Sequence, residues 1–165
     1  IALYVGGLST TYYLFDILAA SCRCPDWQFV FLGEGPLEEV LQEASATQEN
    51  IFYLGSFEYD LIPGFMHHAS AGLCLVQIEQ PLKVLEYGAA GLPTIGMYGG
   101  LSSRFSEDQL LFVNPSPGSI ANALDRLRTE PETAEQYGKR LQQEAKQHSW
   151  SDIADTYYEL IMEAQ

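Results

Sequence analysis

The sequence predicts a doubly wound, Rossmann-like α/β domain: a mostly parallel six-stranded sheet with helices on both faces and a helical C-terminal tail. Three observations predict it. Short apolar runs alternate with segments of helical period from the first residues onward. The strand candidates are apolar at nearly every position, as strands buried on both faces of a parallel sheet are. The 165 residues, 47% apolar and 12% aromatic, supply one core of ordinary domain size.

In chain order, Ala2–Val5 reads as the first strand, stopped by Gly6-Gly7, and Leu14, Ile17 and Leu18 then share one helical face. Trp27–Leu32 is the second strand, ended by Gly33. Leu37, Val40, Leu41 and Ala44 follow at i, i+3, i+4, i+7, a helix signal. Ile51–Leu54 is the third strand, with a short helical segment around Leu61–His68 after it. Ala71–Val76 is the fourth, followed by a helix over Leu82–Ala90. Thr94–Met97 and Leu110–Val113 complete the sheet. The tail reads as three helices: one carrying Ile120, Leu124 and Leu127, a polar one over Ala134–Gln147, and one carrying Ile153, Tyr157, Leu160 and Ile161, started by Ser151-Asp152.

Twenty-two acids against 8 basic side chains give a net charge of −14. That excludes the Lys/Arg surface on which nucleic-acid binding and attraction to anionic membranes depend. Residues 1–100 hold eleven acids and only two cations, Arg23 and Lys83. An anion bound there must be met by backbone N–H groups and one or two named side chains. The three cysteines, Cys22, Cys24 and Cys74, form no CxxC pair, which fits a reducing cytosol and an inert core thiol at Cys74. His67-His68 and His148 match no metal or dyad spacing, and no metal is expected. No run is long and apolar enough for a membrane span, and the start at Ile1, without methionine, reads as a piece of a longer chain.

Ligands of open α/β sheets collect at the carboxyl ends of the strands. Gly6-Gly7-Leu8-Ser9-Thr10-Thr11 could admit a phosphate beside a helix N-terminus, or be a tight turn with a Ser/Thr cap; it lacks GxGxxG spacing. Gly33-Glu34-Gly35-Pro36 reads first as turn punctuation. Gly55-Ser56-Phe57 offers main-chain bonds and a ring for a base, although Phe57 also suits the core. The strongest signal is Gln77–Pro93. There Pro81 starts a helix, and Lys83 and Glu86, three residues apart, fall on one face near its free N–H groups. A lysine there suits a diphosphate and a carboxylate one turn on suits a vicinal diol; the plainer alternative is a solvated i, i+3 ion pair.

Taken in order, LYVGGLS, FVFLGEGP, NIFYLGSF, PLKVLEYGAAGLPTI, LLFVNPSPGSIANAL and HSWSDIADTYYELI resemble the C-terminal, nucleotide-sugar-binding half of family 4 ("group 1") retaining glycosyltransferases of GT-B architecture. The resemblance runs over essentially all 165 residues, which it implies form one donor-binding domain, with an N-terminal acceptor domain missing. It implies a hexosyltransferase-type enzyme, inactive as an isolated domain. Its donor would be a UDP-, GDP- or ADP-sugar, its acceptor a sugar or lipid-linked molecule held by the missing half. A cytoplasmic place follows, peripheral to the inner membrane face through that half, with no metal cofactor and no nucleic-acid partner.

The resemblance also assigns roles. Glu86 would hold the ribose hydroxyls, and Glu79 would face the donor sugar. Pro81, Leu82 and Lys83 would meet the diphosphate, Gly55, Ser56 and Phe57 the base, and Gly6 and Gly7 would lie under the phosphates. Glu79 and Lys83 are the catalytic candidates. Six residues separate Glu79 from Glu86 where the family commonly has seven. The family's early arginine and lysine are replaced by Gly7 and Thr11-Tyr12, which leaves Lys83 as the replacement cation and Arg104 as a second candidate or a surface residue. A non-catalytic GT-B-like scaffold or interaction module is the alternative, and a nucleotide-sugar epimerase of similar fold a third reading.

Overall fold

The computed structural model describes residues 1–78, 81–148 and 150–163. Six strands form one sheet: β1 (Ala2–Val5), β2 (Phe29–Leu32), β3 (Ile51–Tyr53), β4 (Ala71–Cys74), β5 (Thr94–Met97) and β6 (Leu111–Val113). Every pairing is parallel and the order is β3-β2-β1-β4-β5-β6. The order reverses between β1 and β4. In sheets of this kind that is the switch point, where a crevice opens beyond the strand ends.

Strand residues alternate between two cores, as the period of two requires. Tyr4, Phe29, Phe31, Leu73 and Ile95 point to one side, where α1 (Leu14–Ser21), α2 (Glu38–Thr47) and α6 (Pro117–Thr129) bury Ile17, Leu41 and Leu124. Leu3, Val30, Leu32, Cys74 and Phe112 point to the other. There α3 (Ile62–His68), α4 (Leu82–Ala89), α5 (Gly100–Arg104) and α7 (Pro131–Ala145) bury Met66, Tyr87, Leu101 and Leu141. The doubly wound architecture is as predicted, and the sheet is wholly parallel.

The element limits differ in instructive ways. β2 starts two residues later than the apolar run, because Trp27 closes the incoming loop and Asn50 donates to the Ser21, Cys24 and Trp27 carbonyls there. α5 and a 3-10 turn over Thr10–Tyr12 were not predicted; both are too short to show a period. The last helix is α8 (Trp150–Glu163), so Ser151-Asp152, expected to start it, lies within its first turn. Tyr157, Tyr158, Leu160, Ile161 and Met162 on α8 are all exposed. No helix of the described residues is long and apolar enough to cross a membrane.

Candidate functional site

At the switch point, β1 pairs with β2 through all four residues but with β4 only through Ala2 and Leu3. The Val5 N–H instead donates to the Tyr87 hydroxyl at 2.9 Å, and that hydroxyl donates to the Leu3 carbonyl at 3.3 Å. Tyr87 thus pins α4 to the end of β1. Gly72 makes this possible: a Cβ there would sit 2.7 Å from the Tyr87 ring.

The pin sets Lys83 under the β1 loop. Lys83 is 91% buried, and its Nζ lies 2.8 Å from where a Cβ on Gly6 would be. The ammonium stands over the Tyr4 and Tyr12 rings, 4.2 Å and 4.1 Å from their centres, with no hydrogen-bond partner among the described residues. Burial lowers the Lys83 pKa, opposed by the nearby Cys74 and Glu86. The i, i+3 ion pair with Glu86 does not form. Lys83 is roofed by Gly6 and two rings rather than open to the cleft. Cys74, also beneath Lys83, is an inert buried thiol whose pKa burial pushes up to about 12.

Backbone donors divide in an unpredicted way. The Gly6 and Leu8 N–H groups are spent on the Leu32 and Glu34 carbonyls, leaving the Gly7 N–H between them uncommitted among the described residues. Gly33 is a packing glycine at φ 137°, because any Cβ on it would strike the Gly6 carbonyl. Pro81 stands at the N-cap of α4, and the Leu82 and Lys83 N–H groups that open the helix have no partner among the described residues. Gly55 takes a left-handed φ of 77°. Ser56 and Phe57 beside it line a pocket of about 200 Å³ with Val5, Gly6, Leu32, Gly33, Tyr59 and Ile62. Phe57 is not a core residue: it is 39% exposed and packs on Phe65 at 4.8 Å between ring centres.

Glu86 lies one turn along α4, half-buried, and accepts a 2.7 Å hydrogen bond from the Tyr59 hydroxyl. That bond holds the Tyr59 proton, raising its pKa above the ordinary value. Glu86 and Tyr59 also line an apolar cleft of about 600 Å³ between α3 and α4. The Glu79 assignment lies outside the described residues.

Arg104 turns away from this site; its guanidinium is 3.2 Å from the His148 ring, itself 3.1 Å from Glu144. Another pocket, about 280 Å³, lies where Cys24–Trp27 lead into β2, but its Arg23 and Arg128 are faced by Asp26 and Asp125. Among the described residues no three His, Cys, Asp or Glu side chains converge as metal ligands would.

Tyr4, Tyr12, Tyr13 and Tyr59 were missed from sequence. Tyr13 is the one described non-glycine residue with positive φ (52°), and Gln77 reaches across the crevice to donate to its hydroxyl at 3.0 Å. The weak signal for Tyr12 was its place near the family's expected lysine.

A wholly parallel sheet of this order, with a helix N-terminus and a carboxylate beside its switch point, defines a doubly wound α/β domain of the Rossmann-like class. Residues 1–130 match the family described as Glycosyl transferases group 1, and the chain belongs to that family. It is 26% identical over 162 residues to a sulfoquinovosyl transferase of Arabidopsis thaliana, covering 91% of this chain and 31% of that protein. Sucrose-phosphate synthase from Thermosynechococcus elongatus shares the fold at a TM-score of 0.84 and 22% identity, over 99% of this chain and 46% of that one. Anabaena HepE, in complex with UDP-glucose, does so at 0.80 and 17%, over 96% and 48%. The C-terminal domain of a group 1 family protein from Francisella tularensis matches at 0.71 and 20%, over 86% and 82%. The chain therefore spans about a third of its curated relative and about half of the first two structures.

Proposed function

We propose that the chain is the C-terminal donor-binding domain of a retaining glycosyltransferase and binds a nucleotide-diphosphate sugar at the β1/β4 crevice. The observation that carries this reading is the placement of one helix. Tyr87 ties α4 to the end of β1 so that the Lys83 side chain lies against Gly6 beside the helix N-terminus, with Glu86 one turn further on. A diphosphate meets the Leu82, Lys83 and Gly7 N–H groups, and Glu86 holds the ribose diol. The base enters the Gly55–Phe57 side. On transfer, the bond between the sugar's anomeric carbon and the diphosphate breaks and the acceptor oxygen takes its place on the same face. The acceptor proton leaves with the diphosphate, and Lys83 with the α4 N-terminus stabilises the departing charge.

The acceptor belongs to a further domain. The exposed Tyr157, Leu160 and Ile161 of α8 support one, as does the coverage of only about half of the solved relatives. UDP is the first choice of nucleotide, since HepE was solved with UDP-glucose. Calorimetric titration of UDP, GDP and ADP into the wild type and Glu86→Ala tests the reading. One nucleotide should bind the wild type and bind the variant at least about tenfold more weakly, the loss of hydrogen bonds to a charged group. Binding by none leaves the non-catalytic interaction module standing in its place.

A further inference from the structure

We infer that Tyr4 is a positioning residue for the diphosphate: its hydroxyl holds the Gly6–Gly7 peptide with the Gly7 N–H turned to the ligand. The inference rests on the placement of the diphosphate beside Gly7 proposed above. Three observations carry it. The Tyr4 hydroxyl donates to the Gly7 carbonyl at 2.6 Å, and Tyr4 is fully buried, so the bond is shielded from water. The Gly6 carbonyl is packed on Gly33, at the end of β2, where a Cβ would strike it. The peptide is trans, so the Gly7 N–H points the opposite way, away from β2. The neighbour of β1 on that side is β4, across the crevice.

Orientation here has to be held, because a peptide between two glycines flips at little steric cost. Gly6 already stands at a φ of 132°. A flip replaces the Gly7 N–H with the Gly6 carbonyl, which a diphosphate repels. Two bonds oppose it, one on each flank. The Gly6 N–H donates to the Leu32 carbonyl at 2.9 Å, a backbone bond that continues the β1–β2 pairing. On the other flank the restraint is the Tyr4 hydroxyl, supplied by one side chain. The ring of that side chain also lies 4.2 Å beneath the Lys83 ammonium, so Tyr4 steadies the peptide and the cation together. Without the hydroxyl, the ligand-ready peptide is a smaller fraction of the ensemble, and apparent affinity falls by that fraction.

The test is titration of UDP and of uridine into wild type and Tyr4→Phe, with amide NMR spectra of the isotope-labelled chain. Phenylalanine keeps the ring against Lys83 and removes only the hydroxyl. Tyr4→Phe should bind UDP about three- to tenfold more weakly, the worth of one hydrogen bond, and bind uridine as the wild type does. Its Gly7 amide resonance should shift or broaden without ligand, while that of Gly55 stays in place. UDP and uridine weakened alike would mean a general loosening, and UDP binding unchanged would mean that the peptide needs no holding. Either result overturns the role of Tyr4 and leaves the nucleotide site standing. Should Tyr4→Phe fail to fold, the wild type decides: UDP should move the Gly7 amide along with those of Leu82 and Lys83, and a Gly7 amide that stays put overturns the inference. If UDP binds the wild type no more tightly than uridine, or no nucleotide binds it, the placement of the diphosphate falls and the role of Tyr4 with it.

Discussion

The Lys83 ammonium lies 4.1 Å from the centre of the Tyr12 ring and has no hydrogen-bond partner among the described residues. With Tyr4 on its other flank, the charge is held by π faces alone. Two such contacts return about 2 kcal/mol each at best when desolvated, against several kcal/mol for burying an ammonium. The arrangement costs stability, as expected of a group kept for a ligand.

Lys83→Met keeps an unbranched apolar stem, one atom shorter, and removes the buried charge. It should stabilise the fold by about 1–2 kcal/mol at neutral pH in urea unfolding, while weakening nucleotide binding. The sign with pH is set by the lowered Lys83 pKa: between the folded value and 10.5 the unfolded chain binds more protons, so wild-type stability from this group rises with pH. The advantage of the methionine variant should shrink as pH climbs toward 10.5. A variant less stable than wild type at neutral pH contradicts the unpaired charge.

A bound diphosphate restores the proton preference of Lys83. The groups around it are Tyr4 on β1, Tyr12 in the 3-10 turn, Cys74 on β4, and Glu86 and Tyr87 on α4. Tyr4, Tyr87 and Cys74 are all shifted upward by burial and stay protonated. Above about pH 7.5 the nucleotide phosphate is itself fully ionised. Affinity should therefore fall as pH rises toward 10.5, with proton uptake visible as a dependence of the calorimetric heat on buffer ionisation. Lys83→Met should remove both; a pH slope that persists in the variant assigns it elsewhere.

Gly6→Ala faces two obstacles, a φ of 132° that side chains rarely adopt and a Cβ 2.8 Å from Lys83 Nζ. It should destabilise by about 1–3 kcal/mol. Lys83 is flexible, so Gly6→Ala with Lys83→Met should recover the clash but not the backbone strain. A double-variant cycle in urea reads the difference. Strict additivity would place Lys83 away from Gly6.

Tyr87→Phe strands the half-buried Val5 N–H and should cost about 1–3 kcal/mol and loosen α4 from β1. Amide exchange at Val5 should accelerate more than exchange in β5 or β6. Uniform acceleration would mean a general loss of stability instead.

Most of the fold was legible because its strands are apolar on both sides and its helices keep their period; Ala2–Val5 and Thr94–Met97 needed no adjustment. Short elements such as Gly100–Arg104 were not legible, since five residues carry no period. Within the site, Lys83 stood out because cations are rare in residues 1–100, and Glu86 because it follows three residues on along the same helix face. Their settings did not. Nothing local in the sequence says that Tyr59 reaches Glu86, that two rings enclose Lys83, or that Gly33 is glycine because the Gly6 carbonyl leaves no room. Those are contacts between distant residues, decided by how the strands splay.

The central claim is that one crevice, between β1 and β4, seats the nucleotide. A structure of the chain soaked with UDP tests it most directly. The diphosphate should lie at the Leu82 and Lys83 N–H groups beside Gly7, with the ribose diol on Glu86. UDP bound instead between Arg23 and Arg128, with the α4 N-terminus empty, would contradict it.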